Sequence, residues 1–175
     1  MSEEETGGPL SAEELEAFLA QPLLLKLACL RPDGWPYVVP LWYAWHGGRL
    51  YVVGRERAVW VQYLRAEPRV GVLVDEEAAR HRRVQMTALA RVVEGPVPLE
   101  GRSDRWRAIG AVLRQKYMSS ERGQAYAQLT ASRPRVLVEI EPVQTTTWRG
   151  GPWHPRYYAP EPGPPPPTAR FARGS

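Results

Sequence analysis

Residues 31–54, RPDGWPYVVPLWYAWHGGRLYVVG, contain the strongest secondary-structure signals of the chain. The stretch begins with a Pro-Asp-Gly turn and continues through a run rich in Val, Tyr and Trp from Trp35 to Trp45. It then turns at His46-Gly-Gly48 and ends in a third strand-like run, 49–54. With the apolar run 23–30 before it, this pattern predicts three antiparallel strands joined by short turns. A parallel α/β sheet fits poorly, because parallel strands need a helix-length crossover.

The flanking segments add helices and further strands to this meander. Ser11 and Glu14 have the spacing of a capping box, which predicts the start of a first helix. The predicted helices are 11–21, 55–66, 104–117 and 122–129, and the later strands are 69–75, 84–94 and 135–141, with 145–148 as a candidate seventh strand. Short antiparallel strands with a few helices indicate a mainly β domain, a small barrel flanked by helices.

The chain of 175 residues and 19.8 kDa is long enough for one ordinary domain with tails. Residues 1–10 are expected to be disordered, and 11–150 to form the domain. Eight prolines lie between Pro152 and Pro167, and a polyproline run is typical of an extended segment. We therefore expect 151–175 to be a Pro-rich tail outside the core.

The charge is unevenly distributed, with six acidic residues before the first basic residue, Lys26. From residue 17 onward, 23 basic residues face 13 acidic ones, and the isoelectric point is near 9.5. This balance suggests an anionic partner: a nucleic acid, a phosphorylated cofactor or an acidic lipid surface. No apolar run has membrane-spanning length, and the acidic start is unlike a secretory signal, so we expect a cytoplasmic protein with no membrane partner.

Few residues suggest direct chemistry. There is no Walker loop, no GxGxxG motif after a strand, no GxSxG and no HExxH. The single cysteine, Cys29, lies in an apolar run and is expected to be a buried, inert thiol. With one cysteine and three scattered histidines, no metal site is expected.

Two stretches suggest ligand binding. At Gly54-Arg-Glu-Arg57 a predicted strand ends and a helix begins, and helix N-termini bind phosphate through free N–H groups. Arg55 and Arg57 add bidentate donors, although a solvated arginine pair is an equally good interpretation. The aromatic residues between Trp35 and Trp45 are suited to stacking on a planar ligand, to a barrel core or to a dimer surface.

The segments 36–42, 47–53, 63–70 and 83–94 follow one another in the order seen in a known family, and 133–142 with 147–150 extends the match. The chain resembles the pyridoxamine 5'-phosphate oxidase-like family, the split-barrel family of flavin- and deazaflavin-binding proteins. The resemblance covers about residues 12–150. No single motif carries it; the order and spacing of the segments do.

The resemblance implies a six-stranded antiparallel split β-barrel of Greek-key type that forms a homodimer. Family members bind FMN, or the deazaflavin coenzyme F-420, in clefts between the two subunits. The positions that match the family's cofactor contacts are Gly54, Arg55, Arg57, Ala58 and Trp60 for the phosphate, Val39, Pro40, Leu41 and Trp42 for the ring, and Arg83 and Gln85 for polar contacts.

The sequence departs from the oxidases of this family at one cofactor position. Where they carry a Ser-Arg-Lys-like run, this chain has Ala58-Val-Trp60, so the contact to the phosphate would fall to Arg55 and Arg57. The C-terminal Arg and His motif with which those oxidases bind substrate is not evident either.

The leading interpretation is an FMN-binding oxidoreductase with a small-molecule substrate, in which the cofactor supplies the hydride chemistry. No side chain is assigned a catalytic role. A deazaflavin-dependent reductase and a non-catalytic cofactor carrier are the alternatives on the same fold. A nucleic-acid-binding barrel is less well supported, because the basic residues are scattered and no RNA-binding signature is present.

Overall fold

The computed structural model describes residues 8–77, 81–98, 103–118 and 121–150. These residues form four helices: α1 Ala12–Leu19, α2 Val59–Ala66, α3 Asp104–Tyr117 and α4 Glu121–Thr130. They form seven strands: β1 Leu25–Leu30, β2 Pro36–Leu41, β3 Ala44–His46, β4 Arg49–Arg55, β5 Arg69–Asp75, β6 Arg83–Val97 and β7 Arg135–Trp148. The predicted Pro-rich tail, 151–175, lies outside the described residues.

All seven strands belong to one antiparallel sheet in the order β2-β1-β5-β6-β7-β4-β3. The mainly β fold with flanking helices is confirmed, but the sheet has seven strands and not six. The predicted strand 35–45 breaks at Trp42 and Tyr43. The first half, β2, pairs with β1 at one edge of the sheet, and the second half, β3, pairs with β4 at the other. The chain must leave one edge to reach the other, and the break allows this.

The last strand also differs from the prediction. The segments 135–141 and 145–148 form a single strand, β7, which pairs with β4 over its first half and with β6 along its length. Thr87 faces Gln144 whereas Ala88 faces Pro142, so Val143 is an extra residue in a β-bulge. A bulge increases the local twist and bends the strand, which lets one long strand replace the two predicted ones.

The inner face of the sheet carries the main core. Its strands alternate between buried and exposed residues, and α1 and α2 contribute apolar side chains to the same cluster. Ser11 caps α1 as predicted: its Oγ accepts from the Glu14 N–H, while its own N–H donates to Glu14 Oε2 over 2.7 Å. Cys29 is buried in this core, as expected, and burial raises the pKa of its thiol.

The outer face of the sheet is divided into two parts. Helix α3 covers β4 and β7, where Trp106, Ile109 and Leu113 pack on Tyr51 and Leu137. Over β1, β2, β5 and β6 the outer face carries small and exposed residues in register across four strands, in the row Val38, Ala28, Gly71 and Thr87.

Residues 8–10, expected to be disordered, are tied to the end of β7. Gly8 forms an isolated antiparallel bridge with Arg149. The Leu10 N–H donates to Thr147 Oγ1 over 2.8 Å. Gly8 and Leu10 are therefore held beside the last strand, and the expected disorder of the residues before Gly8 lies outside the described residues.

Candidate functional site

A cavity of about 520 Å³ lies between α3, α4 and the ends of β2, β4 and β7. Its apolar lining includes Pro40, Leu41, Trp42, Trp106, Tyr117 and Tyr126, and its basic lining is Arg114 and Arg135. Small-molecule sites are commonly cavities of roughly 300–1,000 Å³ with a mainly apolar lining and a few polar groups. This cavity has both the size and the composition of a ligand site.

Aromatic side chains form one wall of the cavity. Trp42 stacks on Tyr117 with ring centroids 5.1 Å apart and an interplanar angle of 1°. Tyr126 meets Trp42 edge to face at 5.9 Å. The Tyr117 hydroxyl donates to the Leu23 carbonyl over 2.6 Å, and burial raises the pKa of this hydroxyl, so it stays protonated. The hydrogen bond and the two ring contacts fix a flat surface against which a planar ligand could stack.

Arg135 is the buried cation of the cavity, with only 6% of its surface exposed. Its Nη2 donates to Thr130 Oγ1 over 2.6 Å, whereas its buried Nε has no hydrogen-bond partner in the described part of the chain. Arg55 lies directly opposite on β4. Burial raises the pKa of the Tyr126 hydroxyl, but Arg135 and Arg55 beside it outweigh that effect and lower it. Two guanidinium groups therefore face one phenol.

The junction of β4 and α2 holds the predicted phosphate contacts. Arg55 is half-buried at the end of β4, and Arg57 is exposed just before α2. Ala58, the N-cap, offers no side-chain oxygen, and the first turn of α2 contains no acidic residue. Within the described ranges, neither arginine makes a salt bridge. The helix start is thus basic and has no side-chain cap, which suits an anion.

Gly54 and Trp60 have a packing role at this junction. A Cβ atom on Gly54 would lie 2.5 Å from Trp60 Cζ2 and 2.7 Å from its Cη2. The ring of Trp60, which is 5% exposed, fills the space that this glycine leaves. The core packing by itself therefore requires a glycine at position 54.

The four predicted ring contacts on and after β2 separate into two groups. Pro40, Leu41 and Trp42 line the cavity. Val39 is half-buried and packs against the core of the inner face. Three of the four residues therefore lie where a ligand in the cavity would touch them.

Arg83 and Gln85 lie far along the sheet from this cavity. Both are exposed on β6, opposite Trp148 and Thr146 of β7. Arg55 faces Arg135, at the other end of β7. A single chain therefore does not bring the two predicted polar contacts to the predicted phosphate site.

Lys116 contacts the chain where the strand is interrupted between β2 and β3, beside the aromatic wall. Its Nζ donates to the Leu19 carbonyl over 2.8 Å and lies 3.4 Å from the centroid of the Tyr43 ring. Burial lowers the pKa of this amine to about 7. The Tyr43 hydroxyl is itself buried, and burial raises its pKa. Lys116 thus connects α3, the end of α1 and the residue that follows Trp42.

Sequence reasoning missed Arg114, Tyr126 and Arg135, which give the cavity its polar character. Nothing in the local sequence distinguishes Arg135 from its exposed neighbour Arg133. The pairing of β4 with β7 selects Arg135, because that register places it opposite Arg55.

Neither a metal-binding cluster nor a membrane-spanning helix is found among the described residues. They contain no group of three His, Cys, Asp or Glu side chains placed to hold a metal ion. None of their helices has the length and apolar character needed to cross a membrane.

The antiparallel sheet, with α1 and α2 at its inner face and α3 and α4 over a cavity, defines a split-barrel protein. A family model described as pyridoxamine 5'-phosphate oxidase matches residues 11–149. The chain belongs to this family, and the resemblance seen in the sequence is confirmed.

Several known proteins are similar to the chain. An uncharacterised protein of Rhizobium meliloti (strain 1021) is 32% identical over 87 residues, and the match covers 50% of this chain and 56% of that relative's length. A FAD-binding protein of Mesorhizobium loti has 25% identity and a TM-score of 0.60, covering 82% of this chain and 96% of that one.

Two further structures show the breadth of this fold. An F-420 reductase has 24% identity and a TM-score of 0.55, with 74% of this chain and 94% of that one covered. HutZ, the heme storage protein of Vibrio cholerae, has 21% identity and a TM-score of 0.63, with coverage of 82% and 98%. At these identities the similarity shows the fold alone.

Proposed function

We propose that this protein is an FMN-binding oxidoreductase that works as a homodimer on a small-molecule substrate. The proposal is based mainly on the β4–α2 junction. There, Arg55 and Arg57 directly precede a helix start that has no side-chain cap. The proposal is further supported by membership of the family and by similarity to the FAD-binding protein of Mesorhizobium loti.

The junction fits a phosphate monoester. Free N–H groups at a helix start carry partial positive charge, and two guanidinium groups add charge-assisted donors. Trp60 is buried in the core and contributes no charge. The arginines would therefore hold the phosphate, which is the role the sequence assigned to them.

Pro40, Leu41 and Trp42 would orient the flavin ring, because they present apolar and aromatic surface at the cavity. When bound, the flavin would supply hydride transfer. The protein's own residues would anchor the phosphate, hold the ring against a fixed wall and exclude water from the apolar side of the site. Oxidation of pyridoxamine phosphate itself is not proposed, because the lysine position of the oxidases is Trp60 here.

A second copy of the chain would complete the site. Arg83 and Gln85 lie at the far end of β7 from Arg55, so their contacts to the same cofactor would come from the partner subunit. The outer face that bears Val38, Ala28, Gly71 and Thr87 is suited to such an interface, because none of these four neighbouring residues is charged.

The visible absorption spectrum of the purified protein, before and after addition of FMN, tests this proposal. We expect a flavin band that stays with the protein through gel filtration. Riboflavin, which lacks the phosphate, should be lost in the same experiment. If FMN is not retained at all, the flavin proposal fails.

The deazaflavin F-420 is the second candidate cofactor. The basic body of the chain favours it, because this coenzyme carries a phosphate and an acidic glutamyl tail. Parallel titrations with FMN and F-420 decide between the two. Retention of either one without any turnover of reductant would instead favour a cofactor carrier.

A further inference from the structure

We propose that the cavity between α3, α4 and the sheet binds a planar aromatic compound with an acidic group, and that Arg135 recognises the acid. The site is distinct in its residues from the β4–α2 junction, apart from Arg55, which borders both. The ligand could be a substrate or the cofactor itself, because either can be a planar aromatic compound with an acidic group.

Among the described residues, no carboxylate pairs with the arginines around the cavity. Arg135 and Arg55 are direct cross-strand neighbours, an arrangement that is unfavourable for like charges. Within the described ranges, neither of them nor Arg114 makes a salt bridge with a carboxylate. An arginine cannot lose its proton near neutral pH, and burying an unpaired charge is costly. A bound anion would supply the missing negative charge.

The Nε–H of Arg135 is a buried hydrogen-bond donor that no described residue uses. The Nη2 of this arginine is already used by Thr130 Oγ1, whereas the buried Nε has no partner among the described residues. The residue is more than nine-tenths buried and lines the cavity. The Nε–H therefore remains available to an acceptor on a ligand, which would bind in a charge-assisted hydrogen bond.

The remaining lining specifies the rest of the ligand. Trp42, stacked on Tyr117 and meeting Tyr126 edge to face, gives a fixed flat wall. Trp106 and Leu113 extend this apolar surface along α3. A flat ring fits such a wall better than an aliphatic chain, because stacking adds to the burial of apolar area. The cavity thus joins an aromatic wall to a cationic end.

As a substrate site, the cavity rests on the proposed function, because Pro40 and Trp42 line it and are also the expected contacts of the flavin ring. Binding of an aromatic acid in the cavity does not itself require the cofactor. Cofactor-free protein is therefore titrated first.

The test is isothermal titration calorimetry with 2-naphthoate and its neutral counterpart 2-naphthylmethanol. We expect one naphthoate per chain and at least about 10-fold weaker binding of the alcohol. Arg135→Gln should weaken naphthoate binding by about 10- to 150-fold and change alcohol binding little. Arg114→Gln should act in the same direction. Arg133→Gln is the matched control, because Arg133 is exposed, lies two residues away and does not line the cavity.

The inference is overturned if naphthoate and the alcohol bind the parent protein equally, or if neither binds at about millimolar concentration. It is also overturned if a folded Arg135→Gln variant keeps the parent's preference for the acid. Circular dichroism checks folding, and if Arg135→Gln does not fold, Arg135→Lys and Arg114→Gln decide.

Competition with FMN then identifies the source of the ligand. If FMN displaces naphthoate one for one and also binds Arg135→Gln more weakly than the parent protein, the cofactor supplies the aromatic acid; in every other case in which naphthoate binds through Arg135, a substrate does. Binding of naphthoate by a protein that retains no flavin or deazaflavin supports this inference and refutes the proposed function. Flavin retention without any naphthoate binding supports the proposed function and refutes this inference.

Discussion

Replacing Gly54 by alanine tests the packing at the base of the proposed phosphate site. The added Cβ would lie 2.5 and 2.7 Å from two carbons of the Trp60 ring and 3.0 Å from Val61 Cγ2. Both neighbours belong to the buried inner core, and the Trp60 ring is held by the first turn of α2. Because the ring cannot move without repacking that core, the substitution should push α2 away from β4.

The expected cost follows from two opposing effects. Adding a methyl group to a well-packed core costs about 1–3 kcal/mol. Replacing glycine by alanine recovers about 0.4–1 kcal/mol, because the unfolded chain loses conformational freedom. We therefore expect a net loss of about 1–2 kcal/mol in the free energy of unfolding. With a urea dependence of about 2 kcal/mol per molar, the unfolding midpoint should fall by about 0.5–1 M.

Urea unfolding followed by far-UV circular dichroism measures this loss. Gly8→Ala is the control, because nothing lies within 4 Å of the Cβ that it would carry and the residue is outside both the proposed phosphate site and the proposed dimer face. In a double-mutant cycle, Gly54→Ala should cost less when Trp60 is already leucine. If Gly54→Ala leaves the midpoint unchanged, or if the cycle shows no coupling, our explanation of this glycine is wrong.

Three further predictions concern charge, assembly and local structure. The pKa of Lys116 falls from 10.5 to about 7 on folding, so the unfolded chain binds the extra proton between these values. Stability should therefore rise from pH 7 to 10.5, by at most about 1.4 kcal/mol per pH unit, and Lys116→Met should abolish the rise in urea titrations. Val38 is 61% exposed on the proposed dimer face, so Val38→Asp should yield monomers in sedimentation velocity, whereas Leu129→Asp, on exposed α4, should not. Ser11→Ala should lower the free energy of unfolding by about 1 kcal/mol, because it removes the cap of α1, and an unchanged urea midpoint would contradict the observed capping box.

Local signals in the sequence were sufficient for most of the architecture. The turns at 31–34 and 46–48 and the capping box of Ser11 act over a few residues, and the structure confirms what they predict. The strand break at Trp42 and Tyr43 has no such signal, because aromatic residues favour strands on both sides of it. It arises because β2 and β3 pair at opposite edges of the sheet, which only the complete topology shows.

In the candidate site too, residues with a local sequence signal were predicted, and residues placed by the tertiary fold were not. Arg55 and Arg57 were found because a strand end, a glycine and a helix start are adjacent in sequence. Arg135 was not found, because its importance comes from the register with Arg55 and from burial under α4. The packing role of Gly54 was missed as well, since the sequence could not show that the ring of Trp60 packs against it.

Titration of FMN and riboflavin into the parent protein, Arg55→Ala, Arg57→Ala and Arg65→Ala measures whether the arginines of the β4–α2 junction hold the cofactor phosphate. A phosphate held by charge-assisted hydrogen bonds makes FMN bind more tightly than riboflavin, and losing one such bond weakens binding by about 10- to 150-fold. We predict that at least one of Arg55→Ala and Arg57→Ala loses most of the preference for FMN, while Arg65→Ala, on the exposed side of α2, keeps it. If both variants bind FMN as tightly as the parent does, the phosphate lies elsewhere and the β4–α2 junction is not the phosphate site.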